Sequence, residues 1–363
     1  MSSLLFLRQI LMSTFVVFLL IESASAAIIE DLYDAKVAVS DQAEATQNKA
    51  IKQALKQVFV KVSGSDVLLN DANIIKQLNK ASTLIRSYTY EKNKNQLYLV
   101  VNFDQEKIQN VIRTAGFAVW DKRRPDTLLW LAIENKQQEK QIIGQENQSD
   151  FVKRLFEQAQ VRGVRVVVPL WDLNDLQNLN IYDIWGGFSQ PILLATERYD
   201  LNTYLSARIY LEPLDTLQAQ NKEQLWLVDW LMFDNGQMNS GQISVQQSDL
   251  IANEIVDVVA KQLSEKYAIS QQNRLLNAVK TQITLNNVNS ITRYATILKF
   301  LNGLSVVANA TLVMQQGEKA TFDLELLGNT DDLLNTFSLD NKILPVTADS
   351  GLEPTVLEFM WNN

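Results

Sequence analysis

The chain has 363 residues, 47% of them hydrophobic and 20% charged, enough apolar material for two or three domains of ordinary size. It has no cysteine and no histidine. That excludes disulfides, His/Cys metal sites, and nucleophiles of the Ser-His-Asp or Cys-His kind. A net charge of -8 repels phosphate and excludes the general attraction on which nucleic-acid binding depends.

Residues 1–26 read as a secretory signal. Arg8 supplies the positive charge, Ile10 to Ile21 an apolar stretch of suitable length, and Ala24-Ser25-Ala26 the small-residue cleavage site. Cleavage after Ala26 leaves a chain that is expected in the periplasm and soluble. The alternative is an uncleaved inner-membrane anchor, for which Leu4 to Ile21 is just long enough.

A first domain is expected over 27–120. Val37 and Val39 alternate as a strand. Asp41 and Glu44 have the spacing of a capping box at a helix entry. Ala50, Ile51, Ala54, Leu55, Val58, Phe59 and Val62 then recur at helical spacing until Gly64 stops them. A hairpin turns at Lys92 to Asn95. A second long helix carries Ile108, Val111 and Ile112, and Phe117 to Trp120 reads as a last strand. Apart from a short helix near Ile74, the order is β-α-β-β-α-β, the ferredoxin-like pattern.

Trp120 to Asp126 carries Lys122, Arg123 and Arg124 and ends in Pro125-Asp126, which reads as a solvated linker open to trypsin after Lys122 and Arg123. The competing reading has Trp120 docking across both domains and burying the run.

The middle domain is expected over 126–268 as a mixed sheet with helices. Leu128 to Ile133 and Val164 to Val168 read as buried strands around a helix from Asp150 to Arg162. Three further strands follow, the last two joined at Asp234-Asn235-Gly236, and a final helix is capped by Ser248. The last domain, 278–347, repeats the β-α-β-β-α-β order, and a tail over 348–363 brings Phe359, Met360 and Trp361 to dock. The fold class is therefore mixed α/β: three small sandwich-type domains, the outer two ferredoxin-like.

The middle domain holds the candidate site: Asp172, Asp175, Trp185, Gly186, Gly187 and Arg198. The two aspartates follow a buried strand, where α/β sheets often bind ligands, and they suit a hard cation or an acid–base pair. Helix capping explains them more simply. Trp185-Gly186-Gly187-Phe188 suits either a pocket rim or a tight turn. Arg198 suits an anion clamp or an ion pair. No catalytic residue, metal site or cofactor is assigned.

The stretch LYDAKVAVSDQAEATQNKAIKQALKQVFVKVSG from Leu32 to Gly64 resembles the opening of the domain of unknown function 2066 family. Trp120 to Pro125 (WDKRRP), Pro169 to Asp175 (PLWDLND), Trp185 to Phe188 (WGGF) and Arg198-Tyr199 extend the resemblance over nearly the whole mature chain. The resemblance implies an exported gammaproteobacterial protein of three parts, and no activity. The function expected is that of a periplasmic accessory or scaffold protein of the cell envelope, non-enzymatic, acting through contacts with an envelope protein. The alternative is a periplasmic ligand-binding or carboxylate-dependent hydrolytic protein with its site in the middle domain. Glycoside cleavage stays open to it, because that chemistry needs only two carboxylates.

Overall fold

The computed structural model describes residue 29 and residues 31–135, 137–146, 149–212, 224–270, 280–346 and 357–362. The secretory signal read over 1–26 lies outside the described residues.

The first domain contains β1 (Asp34–Val39), α1 (Glu44–Ser63), α2 (Ala72–Leu78), β2 (Ile85–Asn93), β3 (Gln96–Phe103) and α3 (Gln105–Thr114). Its antiparallel sheet runs β1-β3-β2. Alternate residues of β1 (Ala35, Val37 and Val39) meet the apolar stripe of α1 in one core. Two expectations need correction. Asp41 does not form a capping box: α1 has Ala43 as its N-cap with no side-chain bond, and Asp41 Oδ1 instead accepts the Ala43 amide at 2.8 Å, turning the chain just before the helix. The run from Phe117 to Trp120 does not join the sheet either. Val119 makes an isolated bridge to Ile269, while Phe117 packs on the first core and Trp120 enters the middle one. Side chains drawn into two cores cannot also hold a strand register.

The middle domain contains β4 (Asp126–Glu134), β5 (Lys140–Ile142), α4 (Asp150–Arg162), β6 (Arg165–Val167), α5 (Leu173–Asn178), α6 (Ile181–Gly186), α7 (Ser189–Glu197), β7 (Thr203–Leu211), β8 (Trp226–Asp234), β9 (Gln237–Val245) and α8 (Ile251–Tyr267). The sheet runs β5-β4-β7-β8-β9, with β6 beside the start of β4. Strand β4 is parallel to β6 and β7 and antiparallel to β5. Its continuous apolar run is explained by burial on both faces. Leu129 and Leu131 pack under α4 and α8, whereas Leu128, Trp130 and Ala132 pack under the α5–α7 layer. The β8–β9 hairpin turns at Asn235 (φ 45°) and Gly236 (φ 83°), both left-handed, as a tight two-residue turn requires. Ser248 does not cap α8; it opens a short 3-10 turn through which the chain enters the helix without a side-chain cap.

The last domain contains β10 (Lys280–Asn286), α9 (Ile291–Asn302), β11 (Val307–Gln316), β12 (Lys319–Leu326), α10 (Thr330–Ser338), β13 (Ile343–Pro345) and β14 (Leu357–Trp361). Its sheet runs β11-β12-β10-β14-β13, so its first three strands repeat the order of the first sheet. The expected closing strand, β13, is displaced to the edge. The tail strand β14 takes the place beside β10, in parallel, because Phe359 and Trp361 alternate into the core while Met360 faces out.

The run expected to be a solvated linker is instead the point where all three domains meet. Trp120 and Arg124 are fully buried. The Trp120 amide donates to Val62 O at 2.7 Å, and the Ile29 amide donates to Lys122 O at 3.1 Å. Arg124 donates to the carbonyls of Lys61 at 2.7 Å, Gly163 at 2.6 Å, Trp120 at 3.1 Å and Asp121 at 2.9 Å. Lys61 ends α1 and Gly163 ends α4, so two helix C-termini aim their negative ends at one guanidinium. The guanidinium also lies 3.8 Å from the Trp120 ring centroid. Burial draws the Arg124 pKa down to about 9, which leaves the group charged at neutral pH. Arg123 reaches the last domain, donating to Gly303 O at 3.1 Å. Gly64 seals the contact from the first domain. A Cβ there would stand 2.1 Å from Ser264 Cβ on α8, so only glycine lets the two helices approach this closely.

Candidate functional site

The chain leaves β6 through Pro169 and Leu170 and turns at Trp171, whose φ of 55° is unusual for a residue with a Cβ. What holds this turn is Asp175, buried in the first turn of α5. Its Oδ2 accepts the Trp171 amide at 2.8 Å and the Tyr199 hydroxyl at 2.6 Å, and its Oδ1 accepts Arg198 Nη1 at 2.8 Å. Asp172 is the N-cap of α5, accepting the Asn174 and Asp175 amides at 3.0 and 3.2 Å. It also receives the two Nη groups of Arg198, both at 2.6 Å. Asp172, Asp175 and Arg198 are therefore brought together, with Tyr199 as a fourth member.

The chemistry of this cluster is that of a clasp. Hydrogen bonds from Arg198 hold the Asp172 carboxyl down to about 2, and Asp172 in turn raises Arg198. Burial and the bond to Asp175 push the Tyr199 phenol up, so it stays a neutral donor. All four carboxylate oxygens accept hydrogen bonds or pair with the guanidinium. Each of these oxygens thus has a partner within the cluster, and the Asp172 side chain remains 43% exposed. Among the described residues, no three acidic side chains come together in a cation-binding arrangement.

Trp185, Gly186 and Gly187 are not part of this cluster. Trp185 packs against Tyr210 with ring centroids 6.0 Å apart and lies under Lys140 Nζ at 4.6 Å. Gly187, at φ 67°, is the left-handed residue that ends α6, and Gly186 lies against the Phe188 ring. The glycines thus make a helix stop, not a pocket rim. Arg208 donates to Trp185 O at 3.2 Å and is paired with Asp229 at 2.7 Å.

Among the described residues, two half-open cavities lie elsewhere. A cavity of about 330 Å³ sits at the carboxyl end of β4, among Ile133, Phe151, Trp226 and Ile251. Another, of about 360 Å³, separates α8 from α10 beside Asp234. Asp234 is itself satisfied by Thr203, Lys266 and Tyr267 at 2.6, 2.6 and 2.7 Å. The candidate residues line neither cavity.

Sequence reasoning missed two features. One is Tyr199, whose pairing with Asp175 spans 24 residues and leaves no local signal. The other is the outer surface of the α5–α7 layer, where Leu173, Tyr182 and Phe188 are 74%, 65% and 58% exposed. Leu173 and Leu176 are three residues apart, a spacing that could have drawn attention to one side of α5.

The clasp makes a pH prediction. The depressed pKa of Asp172 means its contribution is present above about pH 4, the unfolded value, and is lost as pH falls through the folded value of about 2. Asp172→Asn keeps a good N-cap but removes the charge. The variant should melt below the parent at pH 7 and together with it near pH 2, as followed by circular dichroism. An equal gap at both pH values would contradict the ion-pair account. With no histidine, the parent's melting temperature should stay nearly flat between about pH 5.5 and 7.5.

Comparison with known proteins finds two family matches. Residues 279–352 match the DUF2066 family model, and residues 26–121 match a domain of unknown function, DUF8605. The DUF2066 match therefore covers about a fifth of the chain and lies in the last domain. The stretch from Leu32 to Gly64 that carries the resemblance lies in the part matched by DUF8605. No curated protein matches the chain.

Proposed function

We propose that this chain, which carries the DUF2066 domain at its C-terminal end and DUF8605 at its start, is an exported accessory protein of the cell envelope that performs no catalysis and works through protein–protein contacts. One observation carries the proposal. In the α5–α7 layer Asp172, Asp175, Arg198 and Tyr199 are bonded to one another, while large apolar side chains beside them face solvent. A catalytic layer would have the reverse arrangement, with polar groups directed to a cavity and apolar ones packed. Export is supported by the sequence of Arg8, the apolar run Ile10 to Ile21 and Ala24-Ser25-Ala26, and it places the mature protein in the periplasm. The junction at Arg124 supports a scaffold, since it ties the domains at fixed positions to one another.

The test is crosslinking and gel filtration of the protein from periplasm, together with assays on glycan and peptide panels. The expected result is a discrete crosslinked partner, elution above the mass of the mature chain alone, and no turnover. A chain that elutes alone, crosslinks to nothing and turns over a substrate would overturn the proposal.

A further inference from the structure

We infer that the outer face of the α5–α7 layer is the docking surface for the partner, and that what docks there is a cationic amphipathic helix of a protein. The inference rests on the accessory-protein reading and adds to it the place and chemistry of the contact. Leu170, Leu173, Leu176, Tyr182, Phe188 and Leu194 are exposed within 25 consecutive residues, at 44%, 74%, 55%, 65%, 58% and 54%. Single exposed apolar residues are ordinary on any surface, but a concentration of this kind marks an interaction site. The clasp pre-forms it. Asp172 begins α5 and Arg198 follows α7, and their paired bonds at 2.6 Å fix one helix against the other without a partner present.

Charge identifies the occupant. From Val166 to Glu197 the chain has four acidic residues and no basic one. Arg198 offsets part of that charge through Asp172 and Asp175. The basic side chains that reach the layer from the sheet are already paired: Lys140 with Glu134 at 2.6 Å and Arg208 with Asp229 at 2.7 Å. With Asp175 buried and Asp172 paired, Asp183 and Glu197 give the surface its net negative charge, so it is complementary to an apolar stripe flanked by Lys or Arg. Anionic lipid would be repelled by the same carboxylates. Strand addition has no purchase here, because Leu173, Leu176, Tyr182 and Leu194 stand on helices, and the Leu170 and Phe188 amides already donate to the Tyr199 hydroxyl and to Asp183 O.

The test uses a fluorescein-labelled peptide of about 18 residues, built from Leu and Lys at helical spacing, and a matched Leu/Glu peptide. Each is titrated with the full mature chain and followed by anisotropy. The Leu/Lys peptide should bind and the Leu/Glu peptide should not. Leu173→Ser/Phe188→Ser should weaken binding about tenfold or more. Both positions are exposed, so the melting temperature should be unchanged. Glu197→Lys, which changes charge alone, should weaken it less and make it less salt-sensitive. Val313→Ser on β11, 53% exposed in a different domain, should have no effect. Equal binding of the two peptides, or equal losses at Val313 and at Leu173/Phe188, would overturn the inference. The same double variant is then crosslinked in periplasm. If it keeps the partner of the parent chain, the docking surface is wrong and the accessory reading stands. If the parent chain itself has no partner, the accessory reading fails.

Discussion

Arg124→Ala is expected to destabilise the protein by about 3–5 kcal/mol, because it strands several buried carbonyls and each unsatisfied group costs about 1–3 kcal/mol. The side chain is fully buried, and its guanidinium bonds reach the ends of α1 and α4 and the backbone between them. Alanine leaves those carbonyls inside the junction without donors and opens a void against the Trp120 ring. Arg124→Lys should recover little, because one ammonium cannot bond carbonyls on several sides as the planar fork does. Arg123→Ala is the matched control. Its side chain is 13% exposed, but its bonds are a single carbonyl at 3.1 Å and a 3.6 Å contact with Asp121, so its effect should be clearly smaller. Urea unfolding followed by tryptophan fluorescence would measure all three. Similar losses for Arg123 and Arg124 would show that Arg124 has no special place in the junction.

Gly64→Ala is expected to be the second severe change, for two separable reasons. Its φ of 77° disfavours any Cβ by about 1–2 kcal/mol. The new Cβ would also stand 2.1 Å from Ser264 Cβ and 3.1 Å from the Trp120 ring, so α1 must withdraw from α8, adding roughly 1–3 kcal/mol of overpacking. Gly116 separates the two contributions. Its φ is 84°, yet nothing lies within 4 Å of the position a Cβ would take. Gly116→Ala should therefore show the backbone cost alone. Adding Ser264→Gly should restore part of the stability of Gly64→Ala and none to Gly116→Ala. If the two alanine variants lose the same stability in urea titrations, the close approach of the first and middle domains carries no energetic weight.

How much of this was legible in the sequence depended on whether the signal was local. The stripe of α1, the Asn235-Gly236 hairpin and the buried run of β4 are read from spacing, because one stretch of chain determines each. Gly64 and Gly163 were also legible as helix stops. What no local pattern contains is that the last turns of both helices, through Lys61 O and Gly163 O, meet one guanidinium. In WDKRRP, Arg123 and Arg124 have the same surroundings in sequence, and only tertiary packing buries the second. The order of helices and strands along the last domain was legible, but the tail's place beside β10 was not. A short alternating strand shows which face it buries and not which neighbour it pairs with. At the candidate site, Asp172 was recognisable as a cap. Its bond to Arg198, 26 residues away, closes the clasp and has no signature in either half.

The central claim is that residues 119–126 are a buried junction and not a linker, so that the protein presents its surfaces as one body. Limited trypsin digestion of the native chain, with fragments identified by mass, tests it most directly. Cleavage needs the backbone to open locally, and here Trp120, Arg124 and Pro125 are buried while Lys122 O accepts the Ile29 amide. No fragment ending at Lys122 or Arg123 should form before global unfolding, and Arg124→Ala should make both bonds cleavable. Early release of a folded fragment ending at Arg123 from the parent chain would contradict the account.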